Sequence, residues 1–354
     1  MIAICTGISG VGKREYLRAL QTAHPKEISF FDVGDKMLEV ARNLNIDTST
    51  ERILDCPEST LTALRSTVFE QILSDLKSGI QGKHVLIGLH ASFHWKKVLT
   101  LGFNAHYLKT ISQLASEKRI PVVYVCFTDT VIKTFARHQS REQWKGRLTL
   151  EEVLLWTNEE AMLTKMIAEY EKADFFVLPS EEPIDSLWNI IAHPNKKKLY
   201  LSFPITIIKA TQPKLLEEVG SFREKLREHF VVFDPLAVKD IEWLVGDYEL
   251  PARLLDGISE PLPTASEQAK AYVEAQTVCR DFQLVDQSDF VVVYYKTDRV
   301  SFGVVSEMIH GYTNNKPVYV VWSRSVSPFF AHYCTAWKPD TEPLLDLLMK
   351  KYPG

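Results

Sequence analysis

Two carboxylates near the C-terminal end of the chain stand at a spacing that suits covalent catalysis. Asp281 precedes the apolar run 290–295, and Glu307 follows Gly303 by four residues. A carboxylate that comes just after a strand, at the start of a helix, lies where doubly wound sheets bind ligands. It can trap the oxocarbenium-like centre formed when an N-glycosidic bond breaks, while a nearby glycine lets the sugar approach the backbone. Glu307, Asp281 and Gly303 could therefore supply the parts that such a cleavage requires.

A second chemical pattern lies near the N-terminus, where residues 7–13 read Gly-Ile-Ser-Gly-Val-Gly-Lys and fit GxxxxGK. The motif is specific because it follows a strand-like run and precedes a helical one. Its backbone N–H groups can surround phosphate oxygens at a helix N-terminus, and Lys13 can reach the outer phosphates. A glycine turn with a structural role only is the alternative. The predicted nucleotide-binding residues are Gly7, Gly10, Val11, Gly12, Lys13 and Arg14.

Strand and helix patterns alternate along the whole chain and predict how these residues are positioned. The first half has strands at 2–6, 28–33, 85–89, 122–127 and 175–178, with helices at 13–23, 36–44, 60–78 and 151–172. The second half has strands at 199–203, 230–233, 290–295 and 318–322, with helices that begin near 215, 272, 301 and 342. Such alternation indicates parallel sheets. We expect an α/β protein with two doubly wound parallel-sheet domains, 1–194 and 195–354, and a lid or binding loop within 236–270.

Composition and charge narrow the possible functions. The 354 residues are 45% hydrophobic and 24% charged, as in soluble globular proteins, and the net charge of −4 predicts neither a nucleic-acid nor a membrane partner. Five cysteines without a CxxC pair argue against a zinc site or disulfides and fit a reducing compartment. No run reaches the ~18 apolar residues that a membrane helix needs, and the first residues do not form a signal peptide. We expect a cytoplasmic protein with no metal site.

Residues 1–190 resemble archaeal-type adenylate kinases and related nucleotide kinases. The matching segments are 7–13, 33–41, 85–90 and 137–147. The resemblance implies a P-loop kinase-like domain with a monophosphate site near Gly34. It also implies a lid that carries Arg137, Arg141 and Arg147.

Two departures from that family concern the metal. Arg14 stands where the family has the Ser or Thr that binds Mg²⁺, and Gly88 stands where it has an aspartate. Phosphoryl transfer depends on positioning and on a metal that neutralises charge. We therefore expect ATP or another nucleotide to bind here with Arg14 as a fixed charge in place of Mg²⁺. Kinase activity is expected to be poor.

Residues 199–332 resemble the nucleoside 2-deoxyribosyltransferase family, and within it the branch of 2′-deoxynucleoside 5′-monophosphate N-glycosidases. The matching segments are 199–205, 280–282, 288–289, the Gly-x-x-x-Glu segment 303–307 and the strand start 315–318. One departure lies in the opening loop, which is glycine-rich in the family and contains Phe203-Pro204 here. This departure leaves the identity of the substrate open.

The second resemblance implies a role for each matching residue. Glu307 would be the nucleophile, Asp281 would orient the substrate or protonate the departing base, and Tyr200 would form a hydrogen bond near the nucleophile. The substrate-binding residues that it implies are Ser301, at the phosphate-binding position of the hydrolases, Gly303, and Ser327, which would act across a dimer. The structural alternatives are a solvated Glu307, a core Tyr200 and a helix-capping Ser301.

The combined hypothesis is an enzyme that cleaves or transfers the N-glycosidic bond of a nucleotide or nucleoside through Glu307. The cleavage needs no cofactor, and the kinase-like domain would act as a nucleotide sensor or scaffold. A homodimer or higher homo-oligomer is implied by the family. Two alternatives stay open. One is a nucleotide kinase whose C-terminal domain only binds a ligand, and the other is a nucleotide-binding regulator without catalytic activity.

Overall fold

The computed structural model describes residues 1–79, 82–255, 258, 262–323 and 327–353. The chain divides into two compact units. Unit 1 consists of Met1–Leu187 together with Ala237–Thr277, and unit 2 consists of Trp188–Leu236 together with Val278–Gly354. The domain boundary between residues 194 and 195 stays a prediction.

Strands and helices alternate along both units. The strands are β1 Ile2–Thr6, β2 Ile28–Asp32, β3 His84–Gly88, β4 Ser92–Trp95, β5 Val98–Leu101, β6 Val122–Thr128, β7 Asp174–Pro179, β8 Lys198–Ser202, β9 Val231–Phe233, β10 Phe290–Tyr294, β11 Val318–Val321 and β12 Ala336–Lys338. The helices are α1 Lys13–Ala23, α2 Val33–Asn43, α3 Glu58–Ser78, α4 Ala105–Glu117, α5 Val131–Gln139, α6 Leu150–Glu171, α7 Ile184–Ala192, α8 Ile205–Thr211, α9 Lys214–His229, α10 Asp240–Leu244, α11 Ala252–Leu255, α12 Glu267–Asp286, α13 Phe302–Thr313, α14 Pro328–His332 and α15 Thr341–Lys351. Short 3₁₀ turns lie at Ile53–Asp55 and Pro235–Ala237.

A five-stranded parallel sheet forms the centre of unit 1, in the order β2-β3-β1-β6-β7. The central strand β1 pairs with β3 on one side and β6 on the other, so that Ile4 lies opposite Ile87 and Tyr124. It is buried along its whole length, as expected of a parallel strand covered on both faces. Because the strands run in the same direction, their carboxyl ends share one edge, where ligands bind in such sheets.

Unit 2 has its own parallel sheet, in the order β9-β8-β10-β11-β12. Counted within the unit, this order is 2-1-3-4-5. The chain adds β9 on one side of β8 and then places β10, β11 and β12 on the other side. The reversal between β8 and β10 is a topological switch point, and a crevice outside the strand ends forms at such points.

Helices cover both faces of the sheet in unit 2. Leu199 and Leu201 of β8 belong to a buried cluster that includes Phe222 of α9 and Leu344 of α15. On the opposite face, α13 approaches closely at Gly311, where a Cβ atom would come within 2.9 Å of the Cγ2 atom of Val291. Successive strand residues alternate between faces, so the residues of β8 between and after the two leucines point toward α13.

The predicted fold class is confirmed, because both units are α/β with parallel sheets. Each predicted strand is present, and its ends differ from the prediction by no more than one residue. The sequence did not predict the antiparallel hairpin of β4 and β5, the short strand β12, or helices such as α4 and α5. Of these, β12 is the edge strand of the sheet in unit 2, and the others lie between strands of the sheet in unit 1.

The segment 236–270, predicted as a lid or binding loop, contains the short helices α10 and α11. Residues 256, 257 and 259–261 of it lie outside the described part of the chain. Its beginning is attached to the start of α5. The Val131 N–H donates a 2.7 Å hydrogen bond to Oδ1 of Asp240, and the Lys239 N–H donates one of 3.0 Å to the hydroxyl of Thr130.

Membrane-spanning helices and clusters of metal ligands are both absent from the described residues. None of the helices described is both long and apolar enough to cross a membrane. In the same part of the chain, no three His, Cys, Asp or Glu side chains come together as a metal site.

Candidate functional site

At the carboxyl end of the sheet in unit 2, Glu307 is held by two side chains of β8. The Tyr200 hydroxyl donates a 3.0 Å hydrogen bond to Oε1 of Glu307, and the Ser202 hydroxyl donates one to Oε2. Tyr200 and Ser202 are completely buried, and residues two apart on a strand point to the same face. Both carboxylate oxygens are therefore fixed at the switch point between β8 and β10.

The surroundings of Glu307 raise the pKa of its carboxyl group. Removal from water, reinforced by the negative charge of Asp281, raises the pKa of Glu307 to about 8, while the hydrogen bonds from Ser202 and Tyr200 act in the opposite direction. Burial and the neighbouring Glu307 raise the pKa of Tyr200 well above its usual value, so this phenol stays a neutral donor. Two interacting carboxylates do not both ionise readily, so Glu307 and Asp281 together favour holding one proton.

Asp281 reaches this pair from α12. Its Oδ1 atom lies 3.2 Å from Nε of Arg280, and the two side chains are only 15% and 13% exposed. The charge of Asp281 acts on the pKa of both Glu307 and Tyr200. The structure thus brings the three predicted catalytic residues into one electrostatically coupled group.

The predicted substrate-binding residues lie at helix starts. Gly303 is one helical turn before Glu307, and a Cβ atom added there would meet nothing within 4 Å. Ser301 precedes α13, where its backbone N–H donates a 2.7 Å hydrogen bond to the Tyr295 hydroxyl. Ser327 precedes α14 and is exposed. Binding of substrate by these three residues stays a prediction.

In unit 1 the predicted phosphate loop connects β1 to α1. Gly10 and Gly12 have φ angles of 85° and 86°, in the left-handed region that favours glycine. Gly12 is the N-cap of α1, and no side chain caps this end, so the helix presents the kind of N-terminus that binds anions. The Lys13 ammonium donates hydrogen bonds to the carbonyls of Gly7, at 3.3 Å, and Leu89. The predicted loop residues therefore form one continuous structure.

A buried carboxylate on α6 fastens this loop. Glu160 is 1% exposed, and its Oε1 accepts 2.8 Å hydrogen bonds from the N–H groups of Gly7 and Ala91. Its Oε2 accepts hydrogen bonds of 2.7 and 2.8 Å from the N–H and hydroxyl of Ser92. Burial raises the pKa of Glu160, and the nearby charge of Lys13 opposes that rise. Glu160 therefore ties the loop to the connection between β3 and β4.

A cavity of about 550 Å³ lies beside the phosphate loop within unit 1, a volume in the usual range for small-molecule sites. The basic side chains that line it are Lys13, Arg14, Arg65 and Arg141, and the acidic ones are Glu15, Asp32, Glu51 and Glu142. Val11 and the predicted monophosphate-site residue Gly34 line it as well. The cavity thus collects the predicted loop residues other than Gly7, together with Arg65 and Arg141, around one space.

The three predicted lid arginines have different surroundings. Arg137 lies 2.6 Å from Oδ2 of the buried Asp129 and donates a 2.7 Å hydrogen bond to a carbonyl of the phosphate loop. Arg141 lines the cavity. The Arg147 guanidinium lies over the ring of Trp95, 4.6 Å from its centroid. The structure therefore brings Arg137 and Arg141 to the loop and places Arg147 against an aromatic side chain.

Sequence reasoning missed three residues of these sites. Ser202 lies two residues after Tyr200 on a strand, and this alternation could have identified it as a second contact to the catalytic face. Glu160 and Arg65 sit on long helices, where a charged residue is typical of a solvated surface. Only the tertiary packing shows that each of them faces the loop or the cavity.

Comparisons with known proteins add little to this geometry. No protein-family model matches the chain, and no curated protein does. Among solved structures, shikimate kinase from Aquifex aeolicus VF5 is similar at 16% identity, covering 55% of this chain and 95% of that one, with a TM-score of 0.33. Shikimate kinase from Bacteroides thetaiotaomicron is similar at 12% identity, covering 54% and 98%, with a TM-score of 0.34.

A third similar structure comes from the PezAT chromosomal toxin–antitoxin system of Streptococcus pneumoniae. The identity is 14%, the similar region covers 51% of this chain and 68% of that one, and the TM-score is 0.33. TM-scores of this size support no argument about fold or function. The function is therefore inferred from the geometry of the two units.

Proposed function

We propose that unit 2 breaks the N-glycosidic bond of a nucleotide or nucleoside, with Glu307 as the nucleophile. The observation that carries the proposal is the fixation of both Glu307 oxygens by the buried hydroxyls of Tyr200 and Ser202. A surface glutamate with no role would gain nothing from such positioning. Asp281 supplies the second carboxylate that glycosidic chemistry requires.

The proposed reaction has two steps. In the first, Glu307 attacks the C1′ carbon, the bond between C1′ and the base nitrogen breaks, and the departing base takes the proton held by Asp281. In the second, water attacks C1′, the bond to Glu307 breaks, and the proton of the water returns to Asp281. A second base in place of water would make the same reaction a transfer.

The proton shared by the two carboxylates determines the reactive form. Glu307 must be ionised to attack, and Asp281 must be protonated to assist the leaving base. Burial and the charge of Asp281 raise the pKa of Glu307 on balance, so the resting proton lies on Glu307, and the hydrogen bonds from Tyr200 and Ser202 only oppose this rise. The reaction therefore requires that this proton move to Asp281 when the substrate binds.

The substrate class that we propose is a 2′-deoxynucleoside 5′-monophosphate. The proposal follows the resemblance of segments 280–282 and 303–307 to the N-glycosidase branch of the deoxyribosyltransferase family. Ser301 stands at the start of α13, a helix of 12 residues, and its side chain makes no capping hydrogen bond. Its hydroxyl can contact a 5′-phosphate that also interacts with the helix N-terminus.

The test is to incubate the full chain with 2′-deoxynucleosides, their 5′-monophosphates, ribonucleotides and NAD, and to measure free base by chromatography. We expect base release from 2′-deoxynucleoside 5′-monophosphates to exceed release from nucleosides by about tenfold or more, which corresponds to one phosphate contact. Absence of release from every compound would contradict the proposal. Equal rates of base release from nucleosides and nucleotides would contradict the proposed recognition of the 5′-phosphate.

A second candidate function is phosphoryl transfer from ATP in unit 1. The observation that favours it is the cavity of about 550 Å³ beside the phosphate loop, lined by Lys13 and three arginines. The full chain with ATP, Mg²⁺ and each nucleoside monophosphate would reveal it as repeated turnover to diphosphates. Failure to form diphosphate from any of them would exclude this candidate.

A further inference from the structure

We infer that the phosphate loop of unit 1 binds a polyphosphate group without a divalent metal ion, with Arg14 neutralising the acids at the site and other side-chain cations facing the phosphates. The inference rests on the expectation, drawn from the phosphate-loop motif, that unit 1 binds a nucleotide. The inference explains how side chains balance the negative charge of the phosphates, and it predicts that Mg²⁺ is not required for nucleotide binding.

Arg14 already neutralises the acids nearest to it. Its Nε lies 2.9 Å from Oδ2 of Asp32, and its Nη1 lies 3.2 Å from Oδ1 of Asp35. The other oxygen of Asp35 accepts a 2.5 Å hydrogen bond from Arg18, and the other oxygen of Asp32 accepts one of 3.0 Å from the Asp35 N–H. Each of the four carboxylate oxygens therefore has a donor. A metal ion at either acid would have to compete with Arg14 or Arg18 for these oxygens.

Gly88 stands where the kinase family has a metal-organising aspartate, and its surroundings are also unsuited to a metal ligand. Gly88 is buried at the end of β3. A Cβ atom there would lie 3.1 Å from the ring of Phe30 and 3.4 Å from Leu17. Gly88 lines the cavity, but a side chain built there would have to displace these apolar groups. With Arg14 in place of a hydroxyl, the residues present do not fit a loop-bound Mg²⁺.

Other cationic side chains of the cavity can neutralise the phosphate charges in place of a metal ion. Arg65 of α3 and Arg141 line the same space as Lys13. Burial lowers the pKa of Arg65, and the charge of Glu58 acts in the opposite direction. Within the described part of the chain no ion pair is found for Arg65. A partly desolvated guanidinium gains when an anion binds, because phosphate oxygens match its fork of donors. Four acids line the same cavity, and Asp32 is paired with Arg14. The cations that can face the phosphates are therefore Lys13, Arg65 and Arg141.

The experiment measures the affinity of the full chain for a fluorescent ATP analogue in excess Mg²⁺ and in EDTA. We expect binding in EDTA to be at least as tight, because Mg²⁺ removes negative charge that the side chains would otherwise contact. The variant Arg14→Ser supplies the hydroxyl of the kinase family. Its affinity in EDTA should fall about tenfold through loss of one cation and should recover partly with Mg²⁺.

A matched control is Arg18→Ser, which removes an equal charge from the same acid, Asp35. Because Arg18 is exposed and does not line the cavity, the affinity should stay within about twofold. Circular dichroism checks that Arg14→Ser is folded. The wild-type comparison tests the inference even if that variant does not fold.

The outcomes separate the inference from the proposal on which it rests. Binding of the analogue only with Mg²⁺ would overturn metal independence and leave nucleotide binding intact. Binding in neither condition would overturn both. Displacement of the analogue by inorganic tripolyphosphate in EDTA is expected. Its failure would contradict recognition through the polyphosphate group.

Discussion

Replacing Glu307 with glutamine should stabilise the chain at alkaline pH, because it removes an ionisation that the fold opposes. The folded pKa is about 8, against an ordinary value of 4.5. Between these values the folded chain holds a proton that the unfolded chain releases, so rising pH favours unfolding. Wild-type stability is therefore highest below the ordinary pKa and declines as the pH rises through the folded pKa. The glutamine variant lacks this decline.

The size of the effect follows from the interval between the two pKa values. From 4.5 to about 8 is roughly 3.5 units, and at about 1.4 kcal/mol per unit the ceiling is about 5 kcal/mol. Glu307 keeps some contact with solvent, so we expect about half of that ceiling, ~2–3 kcal/mol. At low pH the variant should match the wild type within about 1 kcal/mol, because an amide can keep hydrogen bonds to both hydroxyls.

The assay is urea unfolding followed by circular dichroism at about pH 5 and about pH 8.5. These two pH values span most of the interval between the unfolded and folded pKa values of Glu307. Glu217→Gln is the matched control, because Glu217 is an exposed glutamate on α9 of the same unit. The stability advantage should grow with pH only for Glu307→Gln. Parallel pH dependence of Glu307→Gln and the wild type would refute the coupling of Glu307 ionisation to folding.

Three further substitutions test other parts of the structure. Ser202→Ala removes a hydrogen bond that lowers the Glu307 pKa, so the rising limb of the pH–rate profile for base release should move about one unit to higher pH; an unmoved limb would count against the role of Ser202. Glu160→Gln places an amide N–H₂ group against N–H donors of the loop, so the free energy of unfolding in urea should fall by about 2–4 kcal/mol. An unchanged unfolding midpoint would contradict this. Gly303→Ala should stabilise α13 by up to about 1 kcal/mol, because the site is open and helical. If the sugar approaches there, base release should fall about tenfold; an unaltered rate would exclude that approach.

The sheets could be predicted because their strands carry a strong local signal. β1 and β10 are short apolar runs buried at every position, and flanking helical patterns separate them from their neighbours. The hairpin of β4 and β5 had no such signal. Its turn places Lys96 and Lys97 at positive φ in place of the usual Asn or Gly, and all four residues of β5 are exposed.

The contacts that the sequence could not predict are those formed between segments far apart in the chain. The resemblance led to the prediction of Glu307 as the nucleophile and of Tyr200 beside it, and the strand pattern predicted where Tyr200 lies. The partners of Glu160 come from segments about 70 and 150 residues away in the chain. The grouping of Ala237–Thr277 with unit 1 is likewise a long-range property, since it depends on contacts such as that of Val131 with Asp240.

The role of Glu307 is tested most directly by the rate of base release from 2′-deoxynucleoside 5′-monophosphates by Glu307→Gln and the wild type. Glutamine keeps the size of the side chain and cannot form the bond to C1′. We predict a fall of at least about a thousandfold for Glu307→Gln, since a nucleophile is lost, and an unchanged rate for Glu217→Gln. Wild-type rates of base release from the Glu307→Gln variant would contradict the assignment of Glu307 as the nucleophile.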